Sequence, residues 1–151
     1  MKKQLYTLLV IGLLFFIIGC QKESDNTTTP APTKTELITK SSWSFDRATS
    51  SGTDISGFIN ACYKDNVVTF TSSTNGTVNE GANVCASPAP STFTWSFQNS
   101  ETVLSLSAPL FSGGTGNFNI VALTATSLAI SQDVIIPPSS TSSNVIFYYK
   151  H

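Results

Sequence analysis

Thr92-Phe93-Thr94-Trp95-Ser96-Phe97 alternates hydroxyl and aromatic residues without a break. Successive side chains of an extended chain point to opposite faces, so Phe93, Trp95 and Phe97 share one face and the small hydroxyls share the other. A helix would scatter those rings around its axis. The segment is therefore a strand with one buried face, and its surroundings repeat the pattern. Val103-Leu104-Ser105-Leu106-Ser107 and Ser127-Leu128-Ala129-Ile130-Ser131 alternate in the same way, and Trp43 and Phe45 have the same spacing. Residues 67–71, 77–80, 117–123 and 144–150 complete a set of about eight strands. Asn75-Gly76 predicts a type I′ hairpin, since both residues tolerate positive φ. Asn99-Ser100 and Thr124-Ala125-Thr126 predict further tight connections. No pair of strands is separated by the helical spacer of roughly 10–15 residues that a parallel sheet requires. The expected fold is all-β, a small eight-stranded antiparallel up-and-down barrel. Its rival is an immunoglobulin-like sandwich, which needs a long crossover. Only 107–117 and 131–144 have room for one.

One segment departs from alternation. Ile55, Phe58, Ile59 and Cys62 fall at i, i+3, i+4 and i+7, with Thr53 or Asp54 as N-cap, which predicts one short helix after the first strand. With Asn75-Gly76 as the turn, Cys85 faces Asn66, four residues beyond Cys62. A bond between Cys62 and Cys85 would then tie the helix end to the open end of the hairpin, at a separation a disulfide tolerates.

The N-terminus reads as an export signal. Lys2 and Lys3 are followed by an uncharged stretch from Leu5 to Ile18, then Gly19 and Cys20. A basic start, an apolar stretch and a small residue before the cut are the parts of a secretory signal. The apolar run falls short of the roughly 20 residues that span a bilayer; the competing reading is a short transmembrane anchor. Ile17-Ile18-Gly19-Cys20 resembles the bacterial lipobox, which implies that residues 1–19 are removed and that the Cys20 thiol is acylated. What remains has six basic and nine acidic residues, a net charge of −3. Such a chain has no electrostatic footprint for nucleic acid or anionic headgroups, so attachment rests on the acyl chains. With Cys20 lipidated, Cys62 and Cys85 are expected to pair, because disulfides persist outside the cytoplasm. Two inert buried thiols are the alternative. Gln21 through Glu36 contains no Val, Ile, Leu, Met, Phe, Trp or Tyr and is expected to be a disordered tether, reaching about 20–25 Å. The expected organisation is a signal over 1–19, a lipidated tether over 20–36 and a folded domain over 37–151. Gln21-Lys22-Glu23 with Asp25 is similar to the acidic tag that sends some Bacteroidetes-type lipoproteins to the cell surface, and ordinary tether residues explain it equally well.

Several landmarks occur in order along the folded part: the opening Ser41-Ser42-Trp43-Ser44-Phe45, the short helix, Ala61-Cys62-Tyr63-Lys64-Asp65-Asn66, Gly81 to Cys85, Thr94 to Phe97, and Ile120 to Thr124 running into Thr126-Ser127-Leu128. Together they resemble the lipocalin-like domains of Bacteroidetes-type lipoproteins, over Leu37 to His151. The resemblance implies a barrel that holds one small apolar molecule, on an outer-membrane lipoprotein facing the periplasm or the cell surface. Ser41-x-Trp43 stands where lipocalins open with Gly-x-Trp, and no family ligand residues carry over.

Catalysis is not expected. The one histidine, His151, is C-terminal, where fraying is the default. Asp65, Glu80, Glu101 and Asp133 fall at expected strand ends or turns and read as solvated. Gly113-Gly114-Thr115-Gly116 lacks the Lys and helix of a phosphate loop and reads as a flexible connection. No metal-ligand spacing remains once both cysteines pair, and no cofactor is expected. The aromatics are the remaining candidates: Trp43, Phe45, Phe70, Phe93, Trp95, Phe97, Phe118 and Phe147, with Tyr149, either fill the core or line a cavity. The expected function is a membrane-anchored module, monomeric, possessing a site for a small apolar ligand; the alternative is a structural or protein-interaction lipoprotein.

Overall fold

The computed structural model describes residues 30–151. The expected signal peptide, Cys20 and most of the expected tether lie outside the described residues. A short helix, α1 (Lys34–Thr39), leads into strand β1 (Trp43–Ser50). The two-residue strand β2 (Thr53–Asp54) folds back on β1. A 3-10 turn (Ser56–Phe58) and a single α-turn, α2 (Ala61–Lys64), follow. The remaining strands are β3 (Val67–Phe70), β4 (Asn75–Asn79), β5 (Thr92–Gln98), β6 (Val103–Leu106), β7 (Asn117–Leu123), β8 (Ser127–Val134) and β9 (Ser143–Lys150).

All strand pairings are antiparallel, and β1 and β3 to β9 pair in that order. β9 returns to β1, with Ser44 opposite Lys150 and Ser50 opposite Val145, so eight strands close a ring with β2 outside it. Closure leaves no long unpaired edge. The connections 107–116 and 135–142 join neighbouring strands rather than crossing over, which removes the sandwich alternative. Alternation does what the β5 sequence predicts: Phe93 and Trp95 are buried while Thr92, Thr94 and Ser96 are exposed. Trp43, Phe70, Leu104, Phe118, Ile130 and Val145 are the fully buried large side chains contributed by the other strands.

Four sequence expectations are corrected. The first concerns the type I′ turn. β3 and β4 pair with Phe70 opposite Gly76 and Val67 opposite Asn79, so the hairpin turns through 71–74 and not at Asn75-Gly76. Gly76 is a buried strand residue, and a Cβ there would run into the Phe93 ring and come within 2.9 Å of the Thr69 carbonyl. The glycine makes room for an aromatic instead of making a turn. The two-residue hairpin with positive φ at both positions is present elsewhere, at Ser51 (48°) and Gly52 (81°) between β1 and β2. This register puts Asn66 beside Glu80, not Cys85.

The second is the helix after β1. Ile59 is extended, with ψ near 129°, and splits the expected helix into the 3-10 turn and α2. Neither Thr53 nor Asp54 is the N-cap, which is Ile55, although Asp54 Oδ1 accepts the Ser56 N–H at 2.8 Å. Asn60 then caps a new turn, accepting the Cys62 N–H at 3.3 Å. Two hydrogen-bonding side chains six residues apart, Asp54 and Asn60, with Gly57 between them, hold two short turns where periodicity suggested one helix.

The third is the start of the folded part. α1 begins inside the stretch expected to be tether. Thr33 and Glu36 form a reciprocal capping box, and Ile38 is fully buried. Burial of one isoleucine and a hydrogen bond to Trp43 order residues whose composition alone would leave them mobile.

The last concerns residues read as loose or solvated. His151 stacks on Trp43 with ring centroids 4.0 Å apart, and its Nδ1 lies 2.9 Å from the Ser42 carbonyl. Asp65 Oδ2 accepts the N–H groups of Ala82 (3.0 Å) and Asn83 (2.9 Å), and Glu80 Oε1 accepts that of Ala89 at 2.6 Å. These carboxylates hold the long 80–91 connection. Gly113 to Gly116 is likewise fixed: Gly116 packs against the Leu106 backbone and Thr115 donates to the buried Gln132.

A candidate ligand cleft at the open end of the barrel

The two ends of the barrel differ. At one end the tight turns 71–74, 99–102 and 124–126 gather, and α1 packs there against β3 and β7. The Trp43 indole N–H donates to the Ile38 carbonyl at 2.8 Å, and Lys34 reaches the Glu101 carbonyl. That end is closed. The opposite end carries the long connections, and between them lies a cleft of about 780 Å³, open to solvent. Ligand sites usually fall between about 300 and 1,000 Å³.

The cleft is built from six parts of the chain. β1 contributes Phe45, and β9 contributes Phe147 and Tyr149. The segment from Gly57 to Lys64 forms one wall. The Cys62–Cys85 disulfide, with Cα atoms 5.2 Å apart, fastens that wall to the 80–91 connection. Phe111 and Ser112 enter from the β6–β7 connection, and Ile135, Ile136 and Pro137 from the β8–β9 connection. The rings form two groups, Tyr63 with Phe111 and Phe147, and Phe45 with Tyr149. Phe111 lies 4.5 Å from Phe147 between centroids, Tyr63 meets Phe111 edge-on at 6.2 Å, and Phe45 meets Tyr149 edge-on at 6.3 Å. Offset and edge-to-face pairs of this kind are mutually stabilising.

Polar side chains stand among the rings: Asn60, Tyr63, Lys64, Ser87, Ser112 and Tyr149 all line the cleft. The Tyr63 hydroxyl is engaged, accepting the Ser112 N–H at 3.0 Å and donating to the Ser87 carbonyl at 3.4 Å. It ties three connections together. Tyr149 is buried, and desolvation pushes its phenol above the ordinary value. Lys64 is half-buried on the wall.

The barrel interior is full. The gap enclosed by Trp43, Val68, Phe70, Leu110, Leu128, Ile130 and Tyr149 measures only about 10 Å³. That is at the lower limit of the roughly 10–15 Å³ a single water occupies. Leu110 is decisive: it comes from a connection, not a strand, and is buried in the interior below the cleft floor.

The structure thus divides the aromatic candidates. Phe45 and Phe147, with Tyr149, line the cleft. Trp43 and Phe70 border only the residual gap. Phe93, Trp95 and Phe97 stack away from the cleft, with Phe70–Trp95 and Trp95–Phe97 centroids 5.2 and 5.3 Å apart, and Phe118 packs behind Phe111. The Trp95 indole N–H is committed to the Ser72 and Asn75 carbonyls at 3.0 and 3.1 Å, fastening the β3–β4 turn. Sequence reasoning missed Tyr63, Phe111, Ile135 and Ile136. The last three lie outside regular alternation, and Tyr63 sits in a four-residue turn, so no periodic signal marks them. Among the described residues no group of three or more His, Cys, Asp or Glu side chains is assembled that could hold a metal ion. No helix among them is long and apolar enough to cross a membrane.

A family model described as a lipocalin-like domain matches residues 23–130. Comparison with curated proteins returned no match.

Proposed function

Because the chain belongs to the lipocalin-like domain family, we propose that it is a non-catalytic binding lipoprotein that takes one small apolar or amphipathic molecule in the cleft at the open end of the barrel. The observation that carries this reading is the 780 Å³ opening walled by Phe45, Tyr63, Phe111, Phe147 and Tyr149 above a filled interior. Apolar walls with a few fixed polar groups are what a small-molecule site requires. In this reading Cys20 carries the lipid that holds the protein at the outer membrane, on the periplasmic or surface-exposed side. The sequence Ile17-Ile18-Gly19-Cys20 supports that part. The protein acts as a monomer and uses no cofactor.

The test is ligand-dependent stabilisation of residues 20–151 carrying Cys20→Ala, which removes any acyl chain of its own. A medium-chain amphiphile should raise Tm in a saturable way, since a ligand that binds only the folded state stabilises by mass action. Phe147→Ala should weaken that shift. A flat Tm across fatty acids, alcohols and small aromatics would remove the small-ligand reading. It would leave a protein-interaction lipoprotein, which the exposed Phe58, Val84 and Ile135 favour.

A further inference from the structure

We infer that the cleft selects a ligand with a single anionic head on an apolar body, and that Lys64 is the residue that reads the head. This rests on the cleft reading above and goes one step further, to the charge of the ligand.

Lys64 is the one charged side chain among the residues lining the cleft. It closes α2, two residues after Cys62, so the disulfide holds its backbone to the 80–91 connection. Its Nζ makes one long hydrogen bond, 3.4 Å, to the Ser56 carbonyl. Among the described residues the ion pairs all converge on Asp46, with Arg47 and Lys150, and none involves Lys64. The adjacent Asp65 forms no ion pair with it. That carboxylate accepts from the Ala82 and Asn83 N–H groups and from Asn83 Nδ2, all on the other connection.

An ammonium on a residue of the cleft lining, with two of its three donors unused by protein, favours an anion. The remaining polar side chains of the lining are amide and hydroxyl groups, so no carboxylate there offers a cation an ion pair. An acid with an apolar tail lays the tail along Phe45, Phe111 and Phe147 and places its head at Lys64. A neutral alcohol of equal length gains only the first contact. An amine of equal length meets repulsion. A half-exposed site keeps this preference modest and sensitive to salt.

The test compares three probes with the same tail, decanoate, decanol and decylamine, titrated by calorimetry into residues 20–151 with Cys20→Ala at neutral pH. The expected order is decanoate tightest, by about five- to tenfold over decanol, as a charge-assisted hydrogen bond at a partly solvated site provides, with decylamine weakest. Raising ionic strength should shrink the ratio. Lys64→Gln should bring the decanoate-to-decanol ratio within about twofold, and Lys64→Arg should restore most of it. Far-UV circular dichroism and Tm of each variant separate loss of the head contact from loss of fold. A wild-type ratio near one, or a ratio that survives Lys64→Gln, overturns the inference while leaving the cleft as a ligand site. Failure of all three probes to bind overturns the cleft reading and this inference with it.

Discussion

Two residues carry roles that depend on atoms far away in sequence. Gly76 occupies a strand, where glycine normally costs about 0.5–1 kcal/mol relative to alanine. Here the usual sign reverses, because the Phe93 ring and the Thr69 carbonyl fill the space of a Cβ. Gly76→Ala should destabilise by about 1–3 kcal/mol, the range for overpacking a filled site, measured by urea unfolding. A variant as stable as the parent would show that Phe93 moves aside freely. Asp65 is the second case. Hydrogen bonds from the Asn83 backbone, then from its side chain and from Ala82, hold the Asp65 carboxyl below its ordinary value. A depressed folded-state pKa means the folded protein keeps the charge where the unfolded chain begins to take a proton. The stabilisation is therefore complete above the ordinary value, near 4, and disappears as pH falls through the lowered one. Asp65→Asn should lower Tm at pH 7, and the difference from the parent should close in acid. A gap that persists at low pH would assign the effect to packing.

At the scale of elements, α1 and the disulfide act at opposite ends of the barrel, α1 closing one and the disulfide bracing the wall of the open one. Only six residues long, α1 is held by what it buries: Ile38 is inaccessible and its carbonyl accepts the Trp43 indole N–H. Ile38→Ala should cost about 2–5 kcal/mol, as deletions at filled core sites do. A cost near zero by chemical denaturation would return residues 34–39 to the tether. At the other end Cys62–Cys85 closes a loop with a sequence separation of 23, which contributes about 3 kcal/mol in the chain-entropy model. Both cysteines also border the cleft. Replacing both by alanine should thus lower stability by that amount and weaken ligand binding together, whereas Ile38→Ala should lower stability with little effect on the cleft. Calorimetric titration of both variants below their melting range checks the distinction.

For the whole molecule, the decisive fact is that a closed eight-stranded ring of this size is filled by its own side chains. Trp43 and Trp95 are both buried, hydrogen-bonded through their indoles and absent from the cleft lining. Ligand binding at the open end should therefore raise Tm while changing tryptophan emission little. Phe111→Ala, at the cleft, should weaken binding several-fold, since it removes a large apolar contact from the cleft wall. Trp95→Ala should cost about 3–5 kcal/mol of stability and leave the affinity of the folded fraction nearly unchanged. Strong saturable quenching of tryptophan would place the ligand inside the barrel instead.

The sequence by itself determined the class of fold, eight of the strands in outline and the inward face of the regular ones. Those follow from a period of two, a property of the extended backbone that needs no partner, and Thr92 to Phe97 and Val103 to Leu106 carry it in plain view, whereas a bulge after Ile120 breaks it in β7. It also named the Cys62–Cys85 pair by counting, although the register used to support that pair was wrong. Tertiary structure decided the rest. Gly76 is a turn residue or a strand residue according to whether an aromatic from β5 lies over it, and nothing local distinguishes the two. Ile38 orders a helix in a stretch that reads as tether because a barrel end is there to cover it. Leu110 fills the interior and Phe111, its neighbour, lines the cleft, and both sit in a connection whose sequence has no period to read. Where side chains from six separate stretches converge is set by closure of the ring, and closure is a property of the paired strands together.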